Sequence, residues 1–175
     1  MLLVLAGSIL TFAIVQEATV VEPYEKGAVV VEQKVDSSPV ELNTVFRIEP
    51  LIEQKFRNIV RQAYDYSCGS AALTTVLNFY LGRSLSERQV MEGLLHYGES
   101  ERIVSRRAFS MLDMKRLVTA LGYPSGGFRA TIDDLIDLDH PAIVPIQHAG
   151  FKHFVVLRTI RDGRVYMADP AVGNL

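Results

Sequence analysis

The chain has 175 residues, 49% of them hydrophobic, which suits one domain of about 100–200 residues with a sizeable core. Its 18 basic and 20 acidic residues give a formal net charge of −2 without a basic run, so the charge gives no reason to expect nucleic acid or an anionic membrane surface as partner. The single cysteine excludes an internal disulfide framework and any multi-cysteine zinc site.

An apolar segment opens the chain. Residues 1–15 carry no charge and are apolar except for Gly7, Ser8 and Thr11. This length fits the core of a signal peptide and falls short of the about 20 residues that a spanning helix needs. We therefore predict that residues 1–18 are a signal peptide or membrane anchor and that the protein is exported, to the periplasm or outside the cell. Membrane contact is expected through this segment alone.

Residues 19–57 are predicted to be a β-leaning extension without a chemical motif. The β-branched runs Thr19–Val21 and Val29–Val31 each predict a short strand, and turn signals separate them. The third predicted region, residues 58–175, is the globular domain.

The only cysteine stands at the start of the strongest helical pattern. Ser67 can act as N-cap, and no proline interrupts the apolar run that follows, so Cys68 falls in the first turn of a helix over 68–81 with Gly82 as its C-cap. Free N–H groups and the positive end of the helix dipole there favour the thiolate, which is the nucleophilic form. The alternative is an inert buried cysteine, because free cysteines are often buried.

Further helices are followed by strands. Capping pairs mark three helix starts: Ser84 with Glu87, Ser110 with Asp113, and Thr131 with Asp134. Residues 98–107 are predicted to be a charged loop. Strands are predicted at Ala142 to Gln147, His153 to Ile160 and Arg164 to Ala168. Helices followed by an antiparallel sheet are typical of the α+β class.

One of the four histidines has surroundings that suit a general base. His96 near a helix end, His140 before a proline and His148 in a loop favour ordinary solvated positions. His153 opens an apolar strand, and the returning strand ends in Asp169, which suits a base and the carboxylate that orients it. The alternative is a structural histidine at a strand end.

The hairpin between these strands decides whether His153 and Asp169 can meet. A plain two-residue turn would pair Val156 with Asp169 and put the two side chains on opposite faces of the sheet. A three-residue loop over 161–163, with its glycine in the left-handed conformation, pairs Val155 with Asp169 and brings them to one face. We predict the three-residue loop, which also pairs the residues on either side of it, Ile160 and Arg164.

Gln62 lies six residues before the cysteine. Its amide could donate a hydrogen bond to the oxyanion that forms when a thiolate attacks a carbonyl, together with the backbone N–H of Cys68. A surface glutamine is the alternative interpretation.

Together these segments resemble the papain-like, bacteriocin-processing cysteine peptidases of the C39 family, in a free-standing exported form. The resemblance covers about residues 58 to 173 and rests on Gln62, Asp65-Tyr66-Ser67-Cys68-Gly69-Ser70-Ala71-Ala72-Leu73, His153-Phe154-Val155-Val156-Leu157 and Asp169-Pro170. It implies an α+β papain-like fold, with N-terminal helices packed on a C-terminal antiparallel sheet. It also implies Cys68 as nucleophile, His153 as general base, Asp169 as orienting group and Gln62 as oxyanion donor.

The function implied is hydrolysis of peptide bonds in a peptide or protein substrate, with leader-peptide removal as a candidate role and no metal or organic cofactor. Two alternatives stay open: a catalytically silent peptide-binding module with the same cleft, and an acyl transferase. Because we expect a further helix or strand after Asp169, truncation of the domain at its C-terminus also stays open.

Overall fold

The computed structural model describes residues 28–34, 41–148 and 150–175. The predicted signal or anchor segment and the predicted strand at 19–21 lie outside the described residues. The chain divides after Pro50 into two compact units. The domain boundaries proposed after residues 18 and 57 stay predictions. Within the described ranges, no helix combines the length and the apolar character that crossing a membrane requires.

The described part of the first unit is an antiparallel strand pair. Strand β1 (Ala28–Lys34) runs against β2 (Glu41–Arg47), with Ala28 opposite Arg47. β1 contains the predicted strand at 29–31. β2 was not predicted as a separate strand, although its residues 44–46 are β-branched or aromatic, types that favour strands.

Helices make up the first part of the second unit. They are α1 (Leu51–Lys55), α2 (Cys68–Phe79), α3 (Glu87–Tyr97), α4 (Ser100–Arg106), α5 (Met111–Ala120) and α6 (Ile132–Asp137). The helices predicted at the positions of α2, α3, α5 and α6 are confirmed, and α1 and α4 are additional. α2 ends slightly before its predicted end, and Gly82 beyond it has φ +66°, which a glycine adopts readily.

The start of α3 corrects one capping prediction. Ser86 is the N-cap and forms the reciprocal box with Gln89, instead of the predicted pair of Ser84 and Glu87. Glu87 is the first residue of the helix and is only 8% exposed, so its carboxylate faces the interior. The boxes predicted at the starts of α5 and α6 are both present.

The predicted charged loop over 98–107 is wrong, because this segment contains α4. Only Ile103 of this helix is buried, so the sequence has no apolar periodicity to indicate it. An ion pair between Arg106 Nη2 and Asp113 Oδ2, 3.0 Å long, ties the helix to α5. Tertiary contacts thus stabilise a helix that its own sequence pattern does not reveal.

A four-stranded antiparallel sheet follows, in the order β3-β4-β5-β6. Its strands are β3 (Ala142–His148), β4 (Phe151–Arg161), β5 (Arg164–Asp169) and β6 (Gly173–Asn174). β6 was not predicted. Pro145 lies in the edge strand β3, where a missing backbone donor is tolerated.

The helix that begins at Cys68 is central to the core. One buried cluster joins α2 to α3, α4 and α5 through residues such as Leu77, Leu94 and Leu117. A second cluster joins α2 to the sheet through Ala72, Val156 and others. The second unit is therefore an α+β fold with helices packed on an antiparallel sheet, as predicted, and the start of α2 lies where the two layers meet.

Candidate active site

Cys68 is the first residue of α2, and the residue before it does not cap the helix. Ser67 is fully buried and occupies the N-cap position, but its side chain makes no capping hydrogen bond, contrary to the prediction. Its hydroxyl instead donates to Tyr64 O at 2.9 Å and accepts from Tyr64 N at 3.2 Å. This fixes the turn that delivers Cys68 and leaves the N–H groups of the first helical turn uncapped by Ser67.

Gly69 lets the start of α2 approach the sheet. A Cβ atom on Gly69 would lie 2.8 Å from Met114 Cε and 3.3 Å from Phe154 Cδ2, closer than side chains normally pack. Phe154 follows His153 in β4, so the residue after the cysteine contacts the residue after the histidine. The lack of a side chain at this position lets the first turn of α2 pack closely against β4, the strand that carries His153.

His153 and Asp169 form a hydrogen-bonded pair. His153 Nε2 lies 2.9 Å from Asp169 Oδ1, and the two side chains are 16% and 6% exposed. The same carboxylate oxygen accepts the backbone N–H groups of Ala171 at 2.7 Å and Val172 at 3.1 Å. Because a carboxylate only accepts hydrogen bonds, Nε2 is the donor in this pair, and Nδ1 is the ring nitrogen left for another partner.

The hairpin that joins β4 to β5 has a two-residue turn, so the predicted three-residue loop is wrong. Arg161 pairs with Arg164, and Ile160 pairs with Val165 instead of Arg164. Asp162 and Gly163 have φ values of 51° and 68°, typical of the type I′ turn that joins adjacent strands. Aspartate followed by glycine is the sequence this turn favours.

A β-bulge in β4 restores the register that the turn alone would lose. The pairing shifts between Leu157 and Thr159, so that Arg158 is the extra residue. Beyond the bulge Val156 pairs with Ala168, and the same register continued by one residue sets Val155 opposite Asp169. His153 and Asp169 therefore share a face of the sheet, as predicted, but through a different backbone feature.

Arg158 also links this bulge to the segment that leads into α2. Its Nη2 donates to Asn58 O at 3.0 Å, and Asn58 itself has a left-handed φ of 57°. The sequence offered no sign of this contact, because the two residues are 100 positions apart.

Gln62 lies beside the end of β5. Its backbone N–H donates to Pro170 O at 3.0 Å, so it is hydrogen-bonded to the residue that follows Asp169. Its side-chain Nε2 donates to Tyr64 O at 3.2 Å, and Oε1 is buried without a hydrogen-bond partner. An amide nitrogen carries two hydrogens, so one remains for a second acceptor.

Two of the other three histidines make local contacts of their own. His96 packs edge-on against Tyr97, with ring centroids 4.6 Å apart, and His140 Nδ1 lies 2.6 Å from Asp139 O in an exposed turn. The side chain of His148 is outside the described residues. Among the residues that the structure describes, no group of histidine, cysteine, aspartate or glutamate side chains could hold a metal ion.

One buried side chain near the site was not predicted to take part in it. Glu87 accepts a hydrogen bond from Ala63 N at 2.9 Å, in the segment between Gln62 and Cys68. In the sequence it resembled an ordinary capping-box glutamate, and only its burial distinguishes it.

An α+β fold that carries a cysteine at a helix start, with a histidine–carboxylate pair on the adjoining sheet, defines the class of papain-like cysteine peptidases. The model of the Peptidase C39 family matches residues 57–175. The chain therefore belongs to the Peptidase C39 family.

Two relatives from Pseudomonas carry a more specific name. The chain is 41% identical over 128 residues to a "Probable functional amyloid protease FapD" of Pseudomonas aeruginosa and 36% identical over 128 residues to a protein of the same name from Pseudomonas fluorescens. Each match covers 73% of this chain and 56% of the relative. The chain thus spans about half the length of the curated relatives it matches.

A solved structure shows the same fold. The peptidase domain of Streptococcus ComA, a bifunctional ABC transporter involved in a quorum-sensing pathway, matches with a TM-score of 0.52 and 20% identity. The match covers 67% of this chain and 84% of that domain. At this identity the likeness concerns the fold alone.

Proposed function

We propose that the chain hydrolyses peptide bonds with Cys68 as nucleophile, His153 as general base, Asp169 as orienting group and Gln62 as oxyanion donor. The observation that carries this proposal is the hydrogen bond between His153 and Asp169, on the sheet against which α2 packs. Asp169 engages Nε2, so the ring presents Nδ1 as the nitrogen that exchanges a proton with the thiol. Family membership supports the same chemistry.

In the proposed reaction, the proton of the Cys68 thiol passes to His153 Nδ1 and the sulfur attacks the carbonyl carbon of the scissile bond. The π electron pair moves onto the carbonyl oxygen, where Gln62 Nε2–H and the Cys68 N–H stabilise the negative charge. The intermediate collapses to a thioester, and the leaving amine takes the proton from His153. Water then attacks the thioester, with His153 accepting its proton, and releases the acid and the thiol.

A peptide-cleavage assay tests this proposal. The wild-type protein and the variants Cys68→Ala and His153→Ala are incubated with a pool of peptides of varied sequence, and new termini are identified by mass spectrometry. We expect cleavage by the wild type alone. An iodoacetamide reaction that modifies Cys68, without cleavage of any pool, would favour the peptide-binding module. Formation of amide products when a primary amine is added would favour acyl transfer.

An apolar cavity whose lining includes Ser67, the residue before Cys68, supports a proposal about the substrate. The cavity has a volume of about 270 Å³. It is lined by Tyr64, Tyr66, Ser67, Met91, Leu95, Ile103, Arg107, Ala108 and Phe109. Because Ser67 is next to Cys68 and most of the lining is apolar, we propose that a substrate side chain near the scissile bond is apolar. Met91→Glu should raise KM for such peptides and leave Cys68 alkylation unchanged.

We further propose that the physiological substrate belongs to a functional amyloid system and that the enzyme acts after export. The name of the two Pseudomonas relatives supports the first part, and the apolar segment at residues 1–15 supports the second. Comparing protein N-termini outside the cell between the wild-type strain and a Cys68→Ala strain tests both parts. We expect a terminus within a secreted amyloid-forming protein, such as a leader-removal site, to depend on Cys68.

A further inference from the structure

Glu87 is a buried carboxylate to which the proposed mechanism gives no role. The residue is 8% exposed and opens α3. Glutamate is rarely this buried unless it has partners, because burial removes the charge from water. The partner here is a backbone amide of the active-site segment, since Ala63 N donates to Glu87 Oε2 at 2.9 Å.

This hydrogen bond fixes one side of Gln62. The N–H of Gln62 itself donates to Pro170 O at 3.0 Å, and the next N–H along the chain, that of Ala63, donates to Glu87. The peptide groups on both sides of Gln62 are therefore anchored, one to the end of the sheet and the other to α3. The position of the Gln62 side chain depends on both anchors.

The second oxygen of Glu87 faces the helix that carries the cysteine. Glu87 Oε1 lies 3.4 Å from Ser70 Oγ, and Ser70 is in the first turn of α2. Ser70 Oγ also lies 2.8 Å from Ser67 O, the shorter contact for its single hydroxyl proton. The carboxylate thus spans from the segment that holds Gln62 to the first turn of the helix that holds Cys68.

We propose that Glu87 is a positioning residue that sets the distance between Gln62 and Cys68, and so the geometry of the oxyanion hole. This inference rests on the proposed function, because it assigns Glu87 a part in the reaction proposed for Cys68. Glu87 acts through the backbone at Ala63, on the group that stabilises the oxyanion. Misplacing such a group by about 1 Å can cost about 100-fold in rate.

Two reagents distinguish a change in the oxyanion hole from a change in the reactivity of the Cys68 thiol. Iodoacetamide alkylates Cys68 by displacement of iodide, which forms no oxyanion. A peptide aldehyde adds the thiol across its carbonyl, so that the sulfur–carbon bond forms, the π pair moves to oxygen and the thiol proton follows. The aldehyde adduct places its oxygen where the oxyanion develops, so its stability depends on the donors there.

The test compares three substitutions at one position. A series of acetylated peptide aldehydes ending in glycine, alanine or leucine residues is screened on the wild type, and the tightest is used throughout. We expect Glu87→Ala to weaken aldehyde inhibition and to lower kcat about 10–100-fold, with alkylation by iodoacetamide within about twofold of wild type. Glu87→Gln keeps an oxygen acceptor for Ala63 N and should restore most of the inhibition. Glu87→Asp keeps the charge but shortens the side chain, and should give an intermediate loss even where the alanine variant does not fold.

Asp113→Ala is the matched control, because it also removes a buried carboxylate that binds backbone N–H groups, at the start of α5. It should lower the melting temperature and leave aldehyde inhibition of the folded protein unchanged. Equal aldehyde inhibition of wild type, Glu87→Ala and Glu87→Asp would overturn the role of Glu87 and leave the proposed function standing. A wild-type protein that neither cleaves peptides nor binds any aldehyde would overturn the proposed function and this inference together.

Discussion

Asp169 Oδ1 lies 2.9 Å from His153 Nε2 and also accepts the backbone N–H groups of Ala171 and Val172. The chain turns immediately after Asp169 so that its own amides hold the carboxylate oxygen in place. The orientation of His153 is consequently set by a rigid acceptor, which is what a base directed at a fixed nucleophile requires.

Substitutions at Asp169 should separate two contributions of this residue to kcat, that of its hydrogen-bond acceptor oxygen and that of its negative charge. Asp169→Asn keeps an oxygen that can accept from Nε2 and the two amides, whereas Asp169→Ala removes it. We expect Asp169→Ala to reduce kcat by about 10²–10⁴ and Asp169→Asn to reduce it less. Steady-state kinetics on a cleaved peptide measures both, and Asp137→Ala, an exposed carboxylate on α6, should behave like wild type. Equal losses in the Asn and Ala variants would contradict the acceptor role.

Deleting Arg158 should remove the bulge and keep Val155 opposite Asp169. With the two-residue turn unchanged, Leu157 still pairs with Met167 and Val155 still lies opposite Asp169. We expect a lower melting temperature, because the hydrogen bond to Asn58 O is lost, but peptide cleavage within about tenfold of wild type. Thermal unfolding and cleavage rates measured on the same preparation check both parts.

Deleting Tyr166 from the opposite strand is the contrasting change. It also removes one residue from the hairpin, but it would pair Val156 with Asp169 when the bulge is kept. Asp169 and His153 would then lie on opposite faces of the sheet, so we expect cleavage to be lost in a protein that still folds. Retained cleavage in this variant would show that the face shared by His153 and Asp169 is not needed.

The end of α3 should not tolerate a side chain. A Cβ on Gly98 would meet the carbonyl oxygen of Leu94 and lie 2.9 Å from both Asp113 Oδ1 and Ile103 Cδ1. We expect Gly98→Ala to lower the free energy of unfolding by about 1–3 kcal/mol in urea titrations. Gly127→Ala is the matched control, since a Cβ there meets no atom within 4 Å and stability should stay the same.

Stability should depend on the ionisation of Asp113. Burial by itself raises the pKa of this carboxyl, but hydrogen bonds from Ser110 and Glu99 and the charge of Arg106 outweigh it and hold the pKa below its ordinary value of 3.8. The folded state therefore binds this proton less readily than the unfolded chain does. The stabilisation is fully present above pH 3.8 and is lost as the pH falls through the lower pKa of the folded state.

Urea titrations between pH 6 and pH 2.5 should therefore show a fall in stability that is steeper for wild type than for Asp113→Asn. Asp134 also titrates with a lowered pKa because of its hydrogen bonds to Thr131, so only the difference between the two proteins reports on Asp113. The same fall in stability with pH for wild type and Asp113→Asn would contradict the lowered pKa of Asp113.

The sequence revealed those helices and strands whose signals are local. Serine or threonine followed three residues later by aspartate marked α5 and α6, and apolar runs marked β3 to β5. α4 was missed because Ile103 is its only buried residue, so no periodicity exists to be seen. Its stability comes from ion pairs such as Arg106–Asp113, which depend on the tertiary fold.

The four site residues named from the sequence stay predictions, whereas the backbone geometry around His153 and Asp169 differs from the predicted one. Asp162-Gly163 is a strong two-residue turn signal, and it conflicted with the register that Asp169 requires. The bulge at Arg158 resolves this conflict, and nothing in the run of β4 residues announces it. Glu87 was also hidden, because its partner Ala63 N is a backbone group that any residue but proline supplies.

The hydrogen bond from Gln62 N to Pro170 O has a consequence for when the site can form. It joins the segment before α2, the helix that begins at Cys68, to the turn that follows β5. During synthesis Cys68 leaves the ribosome long before Asp169, so a nascent chain carries the thiol without the hairpin that orients His153. Such long-range pairing forms late in folding. The order of synthesis thus delays the assembly of this arrangement until β5 and the turn after it have been made.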